Sequence, residues 1–212
     1  MIKKTTNIVN TLKITTLIFD LNRTLVDFRR DKATDKLYQK EFGVDRKIFW
    51  SNTKKYYDKY GTGRAGIDYY IGGAIKNLHL EKRYLVRAKI IHEESFYVIK
   101  GIPELLKKLK KNYNILLFAG DGRESINFKI DNFGLRKYFD EIYTTCDEHV
   151  LKTDIRIYKR MIKKSSLNPK QCILIDDLEH HLMLAREVNI NTILFKNSKQ
   201  LKKDLKRFGV NA

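Results

Sequence analysis

The chain has 212 residues, 42% hydrophobic and 11% aromatic, enough for one packed core domain with a modest insertion. No apolar run approaches the roughly 18 residues of a membrane-spanning helix, and two distant cysteines, Cys146 and Cys172, exclude a disulfide scaffold and a cysteine metal site. A formal net charge of +18 implies attraction to polyanions such as nucleic acid, an anionic membrane surface or phosphorylated metabolites; because the basic residues are spread along the chain, a solvated basic shell is the favoured reading over nucleic-acid binding.

Lys3 and Lys4 precede a partly apolar stretch that faintly resembles a secretory leader. Asn7, Asn10 and Lys13 interrupt it, no small-residue cleavage site follows, and its apolar end runs into a strand pattern. The expectation is a soluble cytoplasmic protein with both cysteines as buried thiols. Strand patterns bounded by polar turns occur at 13–19, 114–118, 141–145, 171–175 and 191–195. Helical patterns fall at 103–111, 123–133, 154–165 and 179–188, and the spacing at 198–208 predicts a last amphipathic helix packed on the sheet. Strands alternating with helices of this length predict an α/β fold, a parallel sheet with helices on both faces.

The stretch 27–98 breaks that rhythm. It is helical in pattern and rich in tyrosine, with Gly61-Thr62-Gly63-Arg64-Ala65-Gly66 as a flexible turn and no convincing strand. Seventy-odd residues are too many for a loop between two sheet strands. The expected division is a core built from 1–26 and 99–212 and a helical insertion at 27–98. Tyr69, Tyr70 and Arg64 are candidates to reach a pocket, although tyrosines at such spacings more often fill the insertion's own core.

The chemistry concentrates at strand ends. Leu17-Ile18-Phe19 runs into Asp20, followed at two-residue steps by Asn22 and Thr24. A strand that stops on an aspartate before a turn presents that carboxylate where ligands collect in open α/β sheets. Ile115-Leu116-Leu117-Phe118 leads into Ala119-Gly120-Asp121-Gly122, Lys152 follows the pattern at 141–145, and Ile173-Leu174-Ile175 ends in Asp176-Asp177. Adjacent acids at a strand end are costly unless a cation neutralises them.

These stations, in this order, resemble the haloacid dehalogenase (HAD) superfamily of aspartate-nucleophile hydrolases, over roughly residues 14–195. The resemblance implies a Rossmann-like sheet, an inserted helical cap that closes over the site, and a Mg²⁺-dependent phosphatase acting on a small phosphorylated metabolite through an aspartyl phosphate. Asp20 would be the nucleophile and Lys152 would orient it and neutralise phosphoryl oxygens. Mg²⁺ would be held by Asp20, Asp176, Asp177 and the backbone carbonyl of Asn22. Thr24, Ala119, Gly120 and Lys152 occupy the substrate-binding positions.

Two stations depart from the family pattern. Asn22 stands where a second aspartate protonates the leaving group and activates water, help typically worth about 10²–10⁴-fold. Ala119 stands where a serine or threonine binds the phosphoryl group. The resemblance therefore admits two alternatives: a degenerate fold kept as a binding module, and a haloacid dehalogenase. The latter would call for an aromatic at position 22 and Ser-Asn after the second strand, neither of which is present. His180 and His181 read as surface imidazoles on a helix.

Overall fold

A strand covered by helices on both faces must be apolar along its whole length, and β1 (Thr16–Phe19) is buried at every position. The structure, a computed structural model, describes residues 12–212; the reading of Lys3, Lys4, Asn7 and Asn10 lies outside them. After β1 the chain forms β2 (Val26–Phe28) and then five helices: α1 (Lys32–Phe42), α2 (Arg46–Ser51), α3 (Tyr57–Gly61), α4 (Ile67–Asn77) and α5 (Tyr84–Glu94). It continues through β3 (Phe96–Val98), α6 (Ile102–Leu109), β4 (Asn114–Ala119), α7 (Arg123–Asn132), β5 (Glu141–Thr144) and α8 (Thr145–Glu148). The last elements are α9 (Ile155–Lys164), β6 (Cys172–Asp176), α10 (Glu179–Glu187), β7 (Asn191–Leu194) and α11 (Ser198–Arg207).

Five strands form one sheet in the order β5-β4-β1-β6-β7, and every pair is parallel. β1 is central, and both its neighbours come from much later in the chain. The α/β expectation holds, with core strands and helices within a few residues of their predicted positions. Two apolar clusters, one on each face, fill the space between sheet and helices. Cys146 and Cys172 are buried free thiols. Among the described residues no helix is long and apolar enough to cross a membrane.

The segment α1–α5 carries a separate core built on Tyr38, Phe42, Phe49, Ile71 and Ala88. Its local order is written in caps. Asp31 accepts from the Thr34 N–H at the start of α1, Gly43 ends that helix at φ +69°, and Asp45 caps α2. Contrary to the strand-free reading of 27–98, β2 and β3 pair antiparallel at the two ends of this segment. Three-residue strands are too short to show alternation, so the sequence pattern missed them. They bring Val26 beside Val98 and set the helical segment on a two-stranded neck next to β1.

The helices sit hard against the sheet's carboxyl edge. A Cβ on Gly122, in the loop after β4, would lie 1.9 Å from the Tyr60 ring of α3. Only glycine permits that approach. Thr145 Oγ1 donates to the Gly61 carbonyl at 2.5 Å, and the Tyr57 hydroxyl donates to the Gly120 carbonyl at 3.0 Å.

Candidate active site

Asp20 follows β1 directly, and its N–H still donates to the Ile175 carbonyl at 2.9 Å, extending the ladder by one residue. That bond fixes the Asp20 carboxylate beside Asp176, the last residue of β6. Asp177 follows in the turn, and oxygens of all three carboxylates lie within 4.8 Å of one another. Lys152, brought in by the loop before α9, donates to Asp20 Oδ1 at 2.5 Å and to Asp176 Oδ2 at 3.1 Å. Its backbone carbonyl accepts from Tyr158 at 3.1 Å, and its ammonium lies 4.4 Å from the Phe118 ring centroid. Arg23, turned into the left-handed region at φ +59°, meets Asp177 at 2.9 Å.

Burial sets the electrostatics. Asp20 is 6% exposed, Lys152 4% and Asp176 0%. Desolvation pushes the Asp20 carboxyl up to about 7; Lys152 opposes this, while Asp176 and Asp177 add to it. Asp176 goes the other way: burial works against its ionisation, but Lys152, His181 and the Leu178 N–H hold it below the usual carboxylate range. Asp177 is raised by burial against the pull of Arg23. Fully ionised, the three carboxylates would outnumber the two cations, which adds to burial in making Asp20 and Asp177 hold their protons to higher pH. A hard divalent cation fits that donor set of converging carboxylate oxygens. Asn22 lines the same cavity, and its backbone carbonyl takes no backbone hydrogen bond among the described residues.

The sequence profile of the haloacid dehalogenase-like hydrolases matches residues 17–195. The chain belongs to this family. A curated relative, the glyceraldehyde 3-phosphate phosphatase of Pyrococcus furiosus, is 25% identical over 91% of this chain and 85% of its own length. A HAD family enzyme from Bacteroides thetaiotaomicron shares the fold at a TM-score of 0.69 and 19% identity, covering 87% of this chain and 95% of its own. That structure is an aspartate-to-alanine mutant in complex with magnesium and inorganic phosphate. The L-2-haloacid dehalogenase of Xanthobacter autotrophicus, with chloropropionic acid covalently bound, superposes at a TM-score of 0.65 and 13% identity, covering 93% of this chain and 84% of its own.

In this HAD chain a cavity of about 160 Å³ opens over Asp20, walled by Asn22, Gly120, Lys152, Asp177 and His181 among others. Seven of the nominated positions behave unequally. Asp20, Lys152, Asp176 and Asp177 converge, and Gly120 lines the cavity. Thr24 does not: it is fully buried under the turn, and its hydroxyl has no hydrogen-bond partner. Ala119 packs its methyl into the apolar cluster beneath the sheet, away from the cavity. Arg64 is exposed and donates to the His149 carbonyl, and Tyr69 faces outward.

Asn22 makes contacts that the sequence did not suggest. Its Nδ2 donates to Asp121 Oδ2 at 3.2 Å, and its Oδ1 accepts from Lys129 Nζ at 2.7 Å. Lys129 is 2% exposed and also meets Asp121 at 2.6 Å. Burial raises the cost of ionising Asp121, but Lys129 outweighs it and holds the carboxyl below its ordinary value. His181 corrects the surface reading of the histidine pair. Its Nδ1 lies 3.0 Å from Asp176 Oδ2, and burial lowers its pKa.

Proposed function

We propose that this HAD hydrolase is a Mg²⁺-dependent phosphatase acting on a small phosphorylated substrate, and that the meeting of Asp20, Asp176 and Asp177 under Lys152 carries the assignment. The phosphatase relative and the magnesium- and phosphate-bound HAD neighbour support the same reading. An Asp20 carboxylate oxygen attacks phosphorus. The new O–P bond forms as the P–O bond to the leaving group breaks, leaving an aspartyl phosphate. Lys152 neutralises charge on the phosphoryl oxygens and holds the other Asp20 oxygen in place. Water then cleaves the acyl phosphate, returning the carboxylate and releasing inorganic phosphate. Mg²⁺, held by Asp20, Asp176, Asp177 and the Asn22 carbonyl, would supply charge neutralisation at the phosphoryl group.

Asn22 cannot give a proton to the leaving oxygen or take one from water. The leaving group departs unaided, which favours substrates whose leaving groups are already good, such as acyl phosphates. The helical segment 27–98, which reaches the cavity through Tyr57 and packs on the loop after β4 through Tyr60, would act as the cap. Phosphate release from acetyl phosphate, p-nitrophenyl phosphate and sugar phosphates, with Mg²⁺ and with a chelator, tests this reading. Activated substrates are expected to turn over fastest, only with Mg²⁺, and not in the Asp20→Asn variant. Equal turnover of unactivated esters would count against the role given to Asn22. Absence of release from every substrate would favour a degenerate fold kept for binding.

A further inference from the structure

Beside the small cavity over Asp20 lies a second of about 400 Å³. The two share Asn22, Arg23 and Tyr57 in their walls, so a molecule with its phosphate at Asp20 has its remainder directed into the larger space. That volume is within the range of small-molecule sites. It exceeds what a three-carbon phosphate fills.

Its wall is a continuous arc of rings. Phe96 meets His92 at 4.7 Å between centroids, His92 meets Trp50 at 4.6 Å, Trp50 meets Tyr70 at 6.1 Å, and Tyr70 meets Tyr57 at 6.1 Å. The rings come from β3, α5, α2, α4 and α3, so the neck and four of the five helices contribute. Most polar groups in this space are already engaged. The Trp50 N–H donates to Tyr38, Arg46 is paired with Asp35, and Lys129 with Asp121 and Asn22. Burial pushes His92 down to about 3, with Lys129 adding to the shift, so its ring is neutral. A sugar or triose with several hydroxyls would find few free partners here. A flat ring would find faces and edges throughout. Arg29 at the wall has no carboxylate partner among the described ion pairs and adds positive potential for an anionic ligand.

We propose that the substrate's leaving group carries a planar aromatic or heteroaromatic ring of nucleotide size, with the ring seated against the arc from Phe96 to Tyr57. This rests on the phosphatase reading and narrows it. Stacking a base on an aromatic side chain is sequence-tolerant and large enough to show as roughly tenfold or more in affinity.

Two readouts separate this proposal from the one it rests on. Trp50 is the chain's single tryptophan, so its emission reports occupancy of the large cavity without any turnover. Adenosine 5′-monophosphate, cytidine 5′-monophosphate and flavin mononucleotide are titrated against ribose 5-phosphate; all are slow, unactivated esters of a primary alcohol, so the bond cleaved is the same and only the ring differs. At least one ring-bearing ligand is expected to change Trp50 emission saturably, at concentrations where ribose 5-phosphate does not. Its kcat/KM is expected to exceed that of ribose 5-phosphate by about tenfold or more. In Tyr70→Leu that ratio falls toward one. Hydrolysis of all four with equal kcat/KM and no emission change would overturn the ring site and leave the phosphatase reading standing. Saturable emission change without phosphate release would support the ring site and remove the phosphatase reading.

Discussion

Replacing Asn22 by aspartate is the sharpest probe of this site, because the amide touches two charges of opposite sign. Lys129 Nζ lies 2.7 Å from its Oδ1, and Asp121 Oδ2 lies 3.2 Å from its Nδ2. With an effective dielectric constant near 20, an introduced carboxylate gains about 6 kcal/mol from the ammonium and loses about 5 kcal/mol to the carboxylate. The two Coulomb terms nearly offset, but the variant loses the Nδ2–Asp121 hydrogen bond and partly desolvates a new charge, so Asn22→Asp is expected to fold with a lowered urea midpoint. The catalytic effect is not offset. A carboxyl group restored beside Asp20 can protonate a leaving oxygen and take a proton from water, worth about 10²–10⁴-fold. The gain is expected on sugar phosphates, whose leaving groups need a proton, and not on acetyl phosphate, whose leaving group does not. The assay is kcat for both substrates in both proteins, with Mg²⁺ present. A folded, Mg²⁺-binding variant with unchanged kcat on the sugar phosphate would refute the reasoning.

Chelation is expected to abolish hydrolysis and Mg²⁺ to restore it, and Asp177→Ala should raise the Mg²⁺ concentration for half-maximal activity by about tenfold or more, read from a metal titration. The metal-free protein should lose stability as pH rises from about 4 to about 7. Asp20, raised to about 7, keeps a proton in the folded chain that the unfolded chain has released, so the native state binds more protons in that window. Added Mg²⁺ should therefore raise Tm more at pH 8 than at pH 5, and a pH-independent increment would contradict the shift. Lys129→Met leaves Asp121 buried without its cation and should cost about 3–5 kcal/mol in urea unfolding. Combining it with Asp121→Asn should recover part of that loss.

Legibility in the sequence followed the range of the interaction that fixes each residue. Asp20, Asp176 and Asp177 were visible because they sit at or just past the end of a buried strand, and a strand buried on both faces is a dense local signal. Lys152 was visible only through its order among the other stations, since the chain holds 43 lysines and arginines. For the same reason Lys129 was invisible: its bond to Asn22 spans 107 residues, and nothing in its local pattern separates it from its neighbours. His181 did carry a signal. It lies three residues past the N-cap Leu178, where a side chain can turn back to the strand end that precedes the helix. Thr24 and Ala119 were placed by alignment to a family pattern. The backbone there turns their side chains into the core, a matter of tertiary geometry. The neck strands β2 and β3 are three residues each, below the length at which alternation can be read.

The charge balance around position 22 explains why an amide can sit in this loop without unfolding it. Asp121 and Lys129 form a buried pair that needs a neighbour able both to donate and to accept. An amide does both, giving its N–H₂ to the carboxylate and its oxygen to the ammonium. An aspartate there would satisfy the ammonium alone. The amide is thus locally consistent: its two hydrogen bonds tie the turn after β1 to α7 and to the loop after β4. Asp20, Lys152, Asp176 and Asp177 are instead engaged with one another and with Arg23 and His181. On the proposed reading, this arrangement would keep phosphoryl transfer to Asp20 while leaving the departing group without a proton donor at position 22.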